Sequence, residues 1–121
     1  MNPAEAMQRL DDYAVELDTR SKELANCERD LAGHEDLFET YLDDFSKGLW
    51  DKHINGGEKL PGEELRLRLA RTEYPTESLG RLTTLQHRRK RLERRIQALR
   101  AAASAQQSIL GALKIEMEIA R

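Results

Sequence analysis

At 121 residues with 35% charged and 5% aromatic side chains, the chain has one domain's length and too little apolar material for a thick spherical core. That balance disfavours a β-sandwich or an α/β fold and suits long helices, whose contact seam needs only about two apolar residues in seven. Net charge is −2, but residues 1–60 carry 15 acids and 7 bases (−8) and residues 61–121 carry 7 acids and 13 bases (+6), so the halves are mutually complementary or one of them is a basic binding face.

Residues 3–52 read as one helix. Leu10, Leu17, Leu24, Leu31, Phe38 and Phe45 recur every seven residues, the d positions of a coiled coil, with Met7, Ala14, Ser21, Glu28, Glu35, Leu42 and Leu49 at a. Pro3 suits a first helical turn.

Residues 53–75 interrupt this pattern. Asn55-Gly56-Gly57 is the strongest turn signal in the chain. A short tip helix is expected from Pro61, near its N1 position, to about Arg71, with Glu63 and Glu64 in its first turn. Tyr74-Pro75 should end it, because a residue before proline avoids the α region. Trp50, Leu60, Leu65, Leu67, Leu69 and Tyr74 gather apolar surface at this tip.

From Thr76, read as an N-cap, a second helix can run to residue 121. Its a positions hold Leu82, Arg89, Ile96, Ala103, Leu110 and Met117. Its d positions hold Leu85, Leu92, Leu99, Gln106, Leu113 and Ala120. The expected fold is therefore all-α: a long antiparallel helical hairpin with a short tip helix, in one domain. Folding about the middle of the tip pairs residues whose numbers sum to about 127. Leu10 then lies by Met117, Leu17 by Leu110, Leu31 by Ile96 and Leu42 by Leu85, and Ser21 faces Gln106. Burying each seam leucine contributes roughly 1.5–3 kcal/mol and each exposed ion pair under about 1 kcal/mol, so apolar contact rather than the charge split should hold the seam. Ile109 and Ala112 on the second helix, and Tyr13, Leu37 and Tyr41 on the first, widen the apolar stripes beyond a and d. Homodimerisation into a four-helix bundle would cover them.

Few residues suggest chemistry. His87-Arg88-Arg89-Lys90-Arg91-Leu92-Glu93-Arg94-Arg95 is the sharpest local feature. Arg88, Arg89 and Arg95 lie on or beside the seam, within reach of helix-one acids such as Glu35 and Glu39. Lys90, Arg91 and Arg94 point outward, where they could meet nucleic-acid phosphates. His34-Glu35-Asp36-Leu37-Phe38 starts like a zinc-protease helix, but Phe38 stands where the second histidine is required. His34 is better read as flanking the seam near Arg95. The stripe Glu28, Glu35, Glu39, Asp43 lacks the loop that a cation site normally needs. Cys27, the single cysteine, flanks the seam and excludes an intrachain disulfide; a catalytic thiol would want an adjacent base and a pocket, and two helices offer no pocket, so it is read as small-residue packing. No cofactor, metal site or catalytic constellation is expected. No run approaches the eighteen or so apolar residues of a membrane span, the first residues lack an apolar signal core, and a lone thiol suits a reducing cytoplasm.

The function these features point to is a non-enzymatic coiled-coil module that assembles with itself and docks a protein partner through helical faces. The alternative is an accessory nucleic-acid binder using residues 87–95.

Overall fold

The computed structural model describes residues 2–120. It is all-α, with no strand among the described residues: α1 spans Pro3–Gly56, α2 Glu63–Glu73 and α3 Thr76–Ile119. The chain folds as two compact units. Residues 2–27 pack with residues 88–120, and residues 28–87 form the second unit. α1 and α3 each contribute to both.

α1 starts under a reciprocal cap. The Glu5 backbone N–H donates to Asn2 Oδ1 at 2.9 Å, and Asn2 Nδ2 donates to Glu5 Oε1 at 3.3 Å. One orphan N–H of the first turn is satisfied this way, with a carboxylate at the positive end of the helix dipole. The helix runs four residues past the expected end at about residue 52 and stops at Gly56. Gly57 then takes φ +67, the left-handed conformation that ends helices at a glycine. His53 Nδ1 lies 2.6 Å from the Glu58 carbonyl, so the ring folds back over the turn.

In the unit of residues 28–87, Leu31, Phe38, Tyr74 and Leu82 form the core, with Tyr41, Leu42, Leu79 and Leu85 packed against it. Tyr74 is the key to this cluster. Its ring meets Phe38 edge-on at 4.9 Å and Tyr41 at 4.9 Å, inclined by 79° and 62°. Such edge-to-face contacts each add about 0.5–1.5 kcal/mol beyond area burial. Tyr74 faces the core because it is extended (ψ 139) while its N–H still donates to the Ala70 carbonyl at 2.9 Å. Pro75 follows, and its carbonyl accepts the Leu79 N–H at 3.0 Å, the first helical bond of α3. Thr76 is thus the first residue inside α3 rather than its cap. Pro61 likewise lies outside α2, whose N-cap is Gly62.

The register differs from the one expected. In the unit of residues 2–27 and 88–120, Arg95 Nη2 and Nε lie 2.6 and 2.9 Å from Glu16 Oε1, two residues whose numbers sum to 111. Ala6 and Gln106, which sum to 112, are the last buried residues of each helix at that end. In the other unit Phe38 and Tyr74 also sum to 112, and Leu31 shares its core with Leu82. Leu17 therefore does not lie by Leu110, nor Leu10 by Met117, and Gln106 is buried at the level of Ala6 while Ser21 is exposed. The cause is α2. A sum of 127 treats residues 53–75 as a symmetric tip. Instead the chain reverses at Gly56-Gly57 and α2 runs back along α1, where Leu67 and Glu63 share a hollow with Leu42 and Ser46.

Candidate interaction surface

The seam residues divide by depth. Leu31, Phe38, Leu82, Leu92, Ile96 and Leu99 are buried. Leu10, Leu17, Leu24, Phe45, Leu85, Leu110 and Leu113 are half-buried. Met117, assigned to the seam from its heptad position, is instead 49% exposed. The register explains it. If α1 residues lie opposite partners summing to 111, Pro3 reaches only residue 108, and α3 continues to Ile119 with no helix opposite. Ile109, beside the seam, is 42% exposed, whereas Ile115 and Ile119, 58% and 79% exposed, lie on the side of the helix opposite Met117. Here the apolar stripe of α3 outlasts its cover. The exposure of Ile109 and Ala112 could be anticipated from the widened stripe; that of Met117 could not, because it depends on which residue of α1 ends opposite.

The basic segment of α3 is arranged differently from the sequence reading. Arg88, Arg91 and Arg95, spaced three and four residues apart, share a face with Leu92 and line a hollow of about 300 Å³ with Arg20 of α1. Arg20 pairs with Glu23 at 3.1 Å and Glu16 at 3.7 Å, and Arg95 pairs with Glu16, so half of this positive charge is answered locally. Among the described residues Arg88 and Arg91 make no ion pair. Of the outward set Lys90, Arg91 and Arg94, only Arg91 belongs to the group; Lys90 and Arg94 are exposed elsewhere on the helix. Arg88 and Arg20 were missed as binding candidates, Arg20 because nothing in the sequence places it beside residues 88–95. Arg89 lies 3.8 Å from Glu93 on its own helix, and its buried Nε has no hydrogen-bond acceptor.

His34 is half-buried beside a second hollow with Arg29, Asp30, Gly33, Leu37, Arg81 and Leu85. The lining of that hollow holds one carboxylate, Asp30, and no other histidine, and Arg95, the neighbour expected for His34, pairs with Glu16 instead. Among the described residues no group of three His, Cys, Asp or Glu side chains converges to hold a metal ion, Glu28, Glu35, Glu39 and Asp43 included. Cys27 is buried at 3% exposure. Among the described residues no helix is long and apolar enough to cross a membrane. At the former tip, Tyr74 is in the core and Leu60 half-buried, whereas Trp50, Leu65, Leu67 and Leu69 are 46%, 48%, 39% and 38% exposed. Comparison with protein-family models, curated proteins and solved structures finds no match to this chain.

Proposed function

We propose that the protein is a non-enzymatic helical interaction module that works in the cytoplasm and docks another helix on the uncovered end of α3. One observation carries this reading: the apolar stripe that is buried up to Gln106 continues past the end of α1 through Leu110, Leu113 and Met117, the first two half-buried and Met117 49% exposed, with Ile109 beside them 42% exposed. An apolar face that a fold builds and then leaves open is the usual mark of a contact site. The buried lone thiol of Cys27 suits a reducing compartment. The hollows on the surface lie open to solvent, a poor setting for fixing a substrate.

Affinity capture from the native host tests the reading when the wild-type chain is compared with a Leu113→Asp/Met117→Asp variant. The expected outcome is a partner, this chain itself or another protein, retained by the first and lost by the second while helical content is unchanged. Equal retention by both would remove the reading.

A second reading rests on the unpaired guanidiniums of Arg88 and Arg91 beside Arg20 and Arg95. An accessory nucleic-acid contact there would weaken with salt, with a slope of about −0.7 to −0.9 per phosphate neutralised. Fluorescence anisotropy with short single- and double-stranded oligonucleotides at low salt decides it, and Arg88→Gln/Arg91→Gln should flatten the slope.

A further inference from the structure

We infer that the hollow of Arg20, Arg88, Arg91 and Arg95 is a binding site for a single phosphate monoester, carried by a small molecule or by the phosphorylated end of a nucleic-acid strand. The inference rests on the reading of these guanidiniums as an anion contact and adds which anion they take.

The spacing of α3 leaves positive charge unanswered. Residues three and four apart are neighbours on a helix. Neither Arg88 nor Arg91 has a carboxylate at such a position on α3; each has an arginine there instead. Arg88 with Arg91 and Arg91 with Arg95 are therefore like-charge pairs, which weaken a helix and are relieved by an anion between them. Glu93, the acid nearest in sequence, is turned to Arg89 at 3.8 Å. Across the hollow, α1 answers with Glu16 and Glu23 alone, already paired with Arg95 and Arg20. Four guanidiniums against two carboxylates leave +2. A phosphate monoester carries about −1.5 to −2 at neutral pH and matches that charge. A backbone diester carries half of it.

Donors from both helices meet at one place. Glu16 Oε1 lies 2.6 Å from Arg95 Nη2 and 3.7 Å from Arg20 Nε. Arg20 gives Nη1 to Glu23, and Arg95 gives Nε and Nη2 to Glu16. Each guanidinium carries more N–H donors than these bonds use, so both keep donors for a second acceptor beside those of Arg88 and Arg91. Planar guanidiniums suit phosphate oxygens because two parallel N–H bonds can reach one group. Leu92, buried, gives the hollow an apolar wall, and a low-dielectric wall strengthens the field of the charges around it.

Extent separates a compact anion from a strand laid along the surface. From Arg88 to Arg95 the axial rise is about 10.5 Å. Beyond Arg95 the same face of α3 continues with Ala98, Leu99 and Ala102, and on α1 Arg20 stands between Glu16 and Glu23. A strand following the helices would carry its next phosphates over uncharged and acidic surface. A single terminal phosphate ends inside the hollow.

Thermal unfolding of the full chain, with sodium phosphate exchanged for sodium chloride at constant ionic strength, tests the inference. Phosphate should raise the midpoint of the wild type, because it binds the folded chain. It should raise that of Lys90→Gln/Arg94→Gln equally, since these two side chains lie elsewhere on α3 and the loss of charge is the same. Arg88→Gln/Arg91→Gln should show only the small rise that phosphate gives any folded protein. A wild type raised no more than Arg88→Gln/Arg91→Gln, or an effect lost equally in both variants, would overturn the inference. The source is read by fluorescence anisotropy at low salt with a short single strand labelled at its 3′ end. The 5′-phosphorylated strand should bind roughly tenfold more tightly than the 5′-hydroxyl strand, the value of one or two charge-assisted hydrogen bonds, and inorganic phosphate should compete with it. Equal binding of the two strands would sink the inference and leave the nucleic-acid reading in place. Stabilisation by phosphate with neither strand bound would sink that reading and support the site as one for a small phosphate ester.

Discussion

Gly57 and Gly48 show how one residue type acts in opposite ways. Gly57 holds φ +67 at the reversal of the chain, a conformation that costs an L side chain whatever space surrounds it. Gly48 lies inside α1, where an added Cβ would meet nothing within 4 Å and glycine only weakens the helix. Gly57→Ala should lower unfolding free energy by about 1 kcal/mol and Gly48→Ala should raise it by about 0.5–1 kcal/mol. Urea titrations of the two variants check the opposite signs, and equal shifts would contradict the backbone assigned to the turn. The turn signal at Asn55-Gly56-Gly57 was plain in the sequence because it needs only local chemistry. The partner of His53, the Glu58 carbonyl, was not, since it depends on the ring folding over that turn.

Among the elements, α2 departs furthest from expectation. Its existence, its acidic first turn and its end at Tyr74-Pro75 all follow from residues close in sequence. Its direction does not. Only Ala70 and Tyr74 of this stretch reach the core, and Tyr74 does so because Pro75 forces the backbone to extend just where the ring can meet Phe38 and Tyr41. Removing the ring should cost about 3–5 kcal/mol by analogy with other large buried aromatics. Tyr74→Ala should therefore speed amide hydrogen exchange throughout α2. Residues 92–106 of α3, which belong to the other unit, should keep their protection. Uniform acceleration over both stretches would show that α2 has no separate dependence on this contact. Leu65, Leu67 and Leu69 share with Tyr74 the apolar surface that the sequence gathers at the tip, yet of these four the fold buries only the tyrosine.

At the scale of the whole molecule, each unit has its own buried leucine at 2% exposure, Leu31 in one and Leu99 in the other. Placing a carboxylate at both sites leaves two buried charges without designed partners, which is far costlier than losing packing alone. Leu31→Asp/Leu99→Asp should abolish the cooperative thermal transition followed by circular dichroism. A transition retained near the wild-type temperature would mean that these leucines do not hold the units.

Heptad spacing, proline and glycine determined the helical class, three helices and the place of the turn, because period, capping and backbone restriction act within a few residues. The sequence also marked most of the buried seam: Leu31, Phe38, Leu82, Leu92, Ile96 and Leu99 sit where the sevenfold repeat puts them. Only the tertiary structure decided the register. A heptad repeat matches itself at every shift of seven, so apolar periodicity alone allows several pairings of nearly equal energy. The path of α2 selected one of them. That choice placed Glu16 against Arg95, gathered Arg20 with Arg88 and Arg91, and left the last turns of α3 without a covering helix.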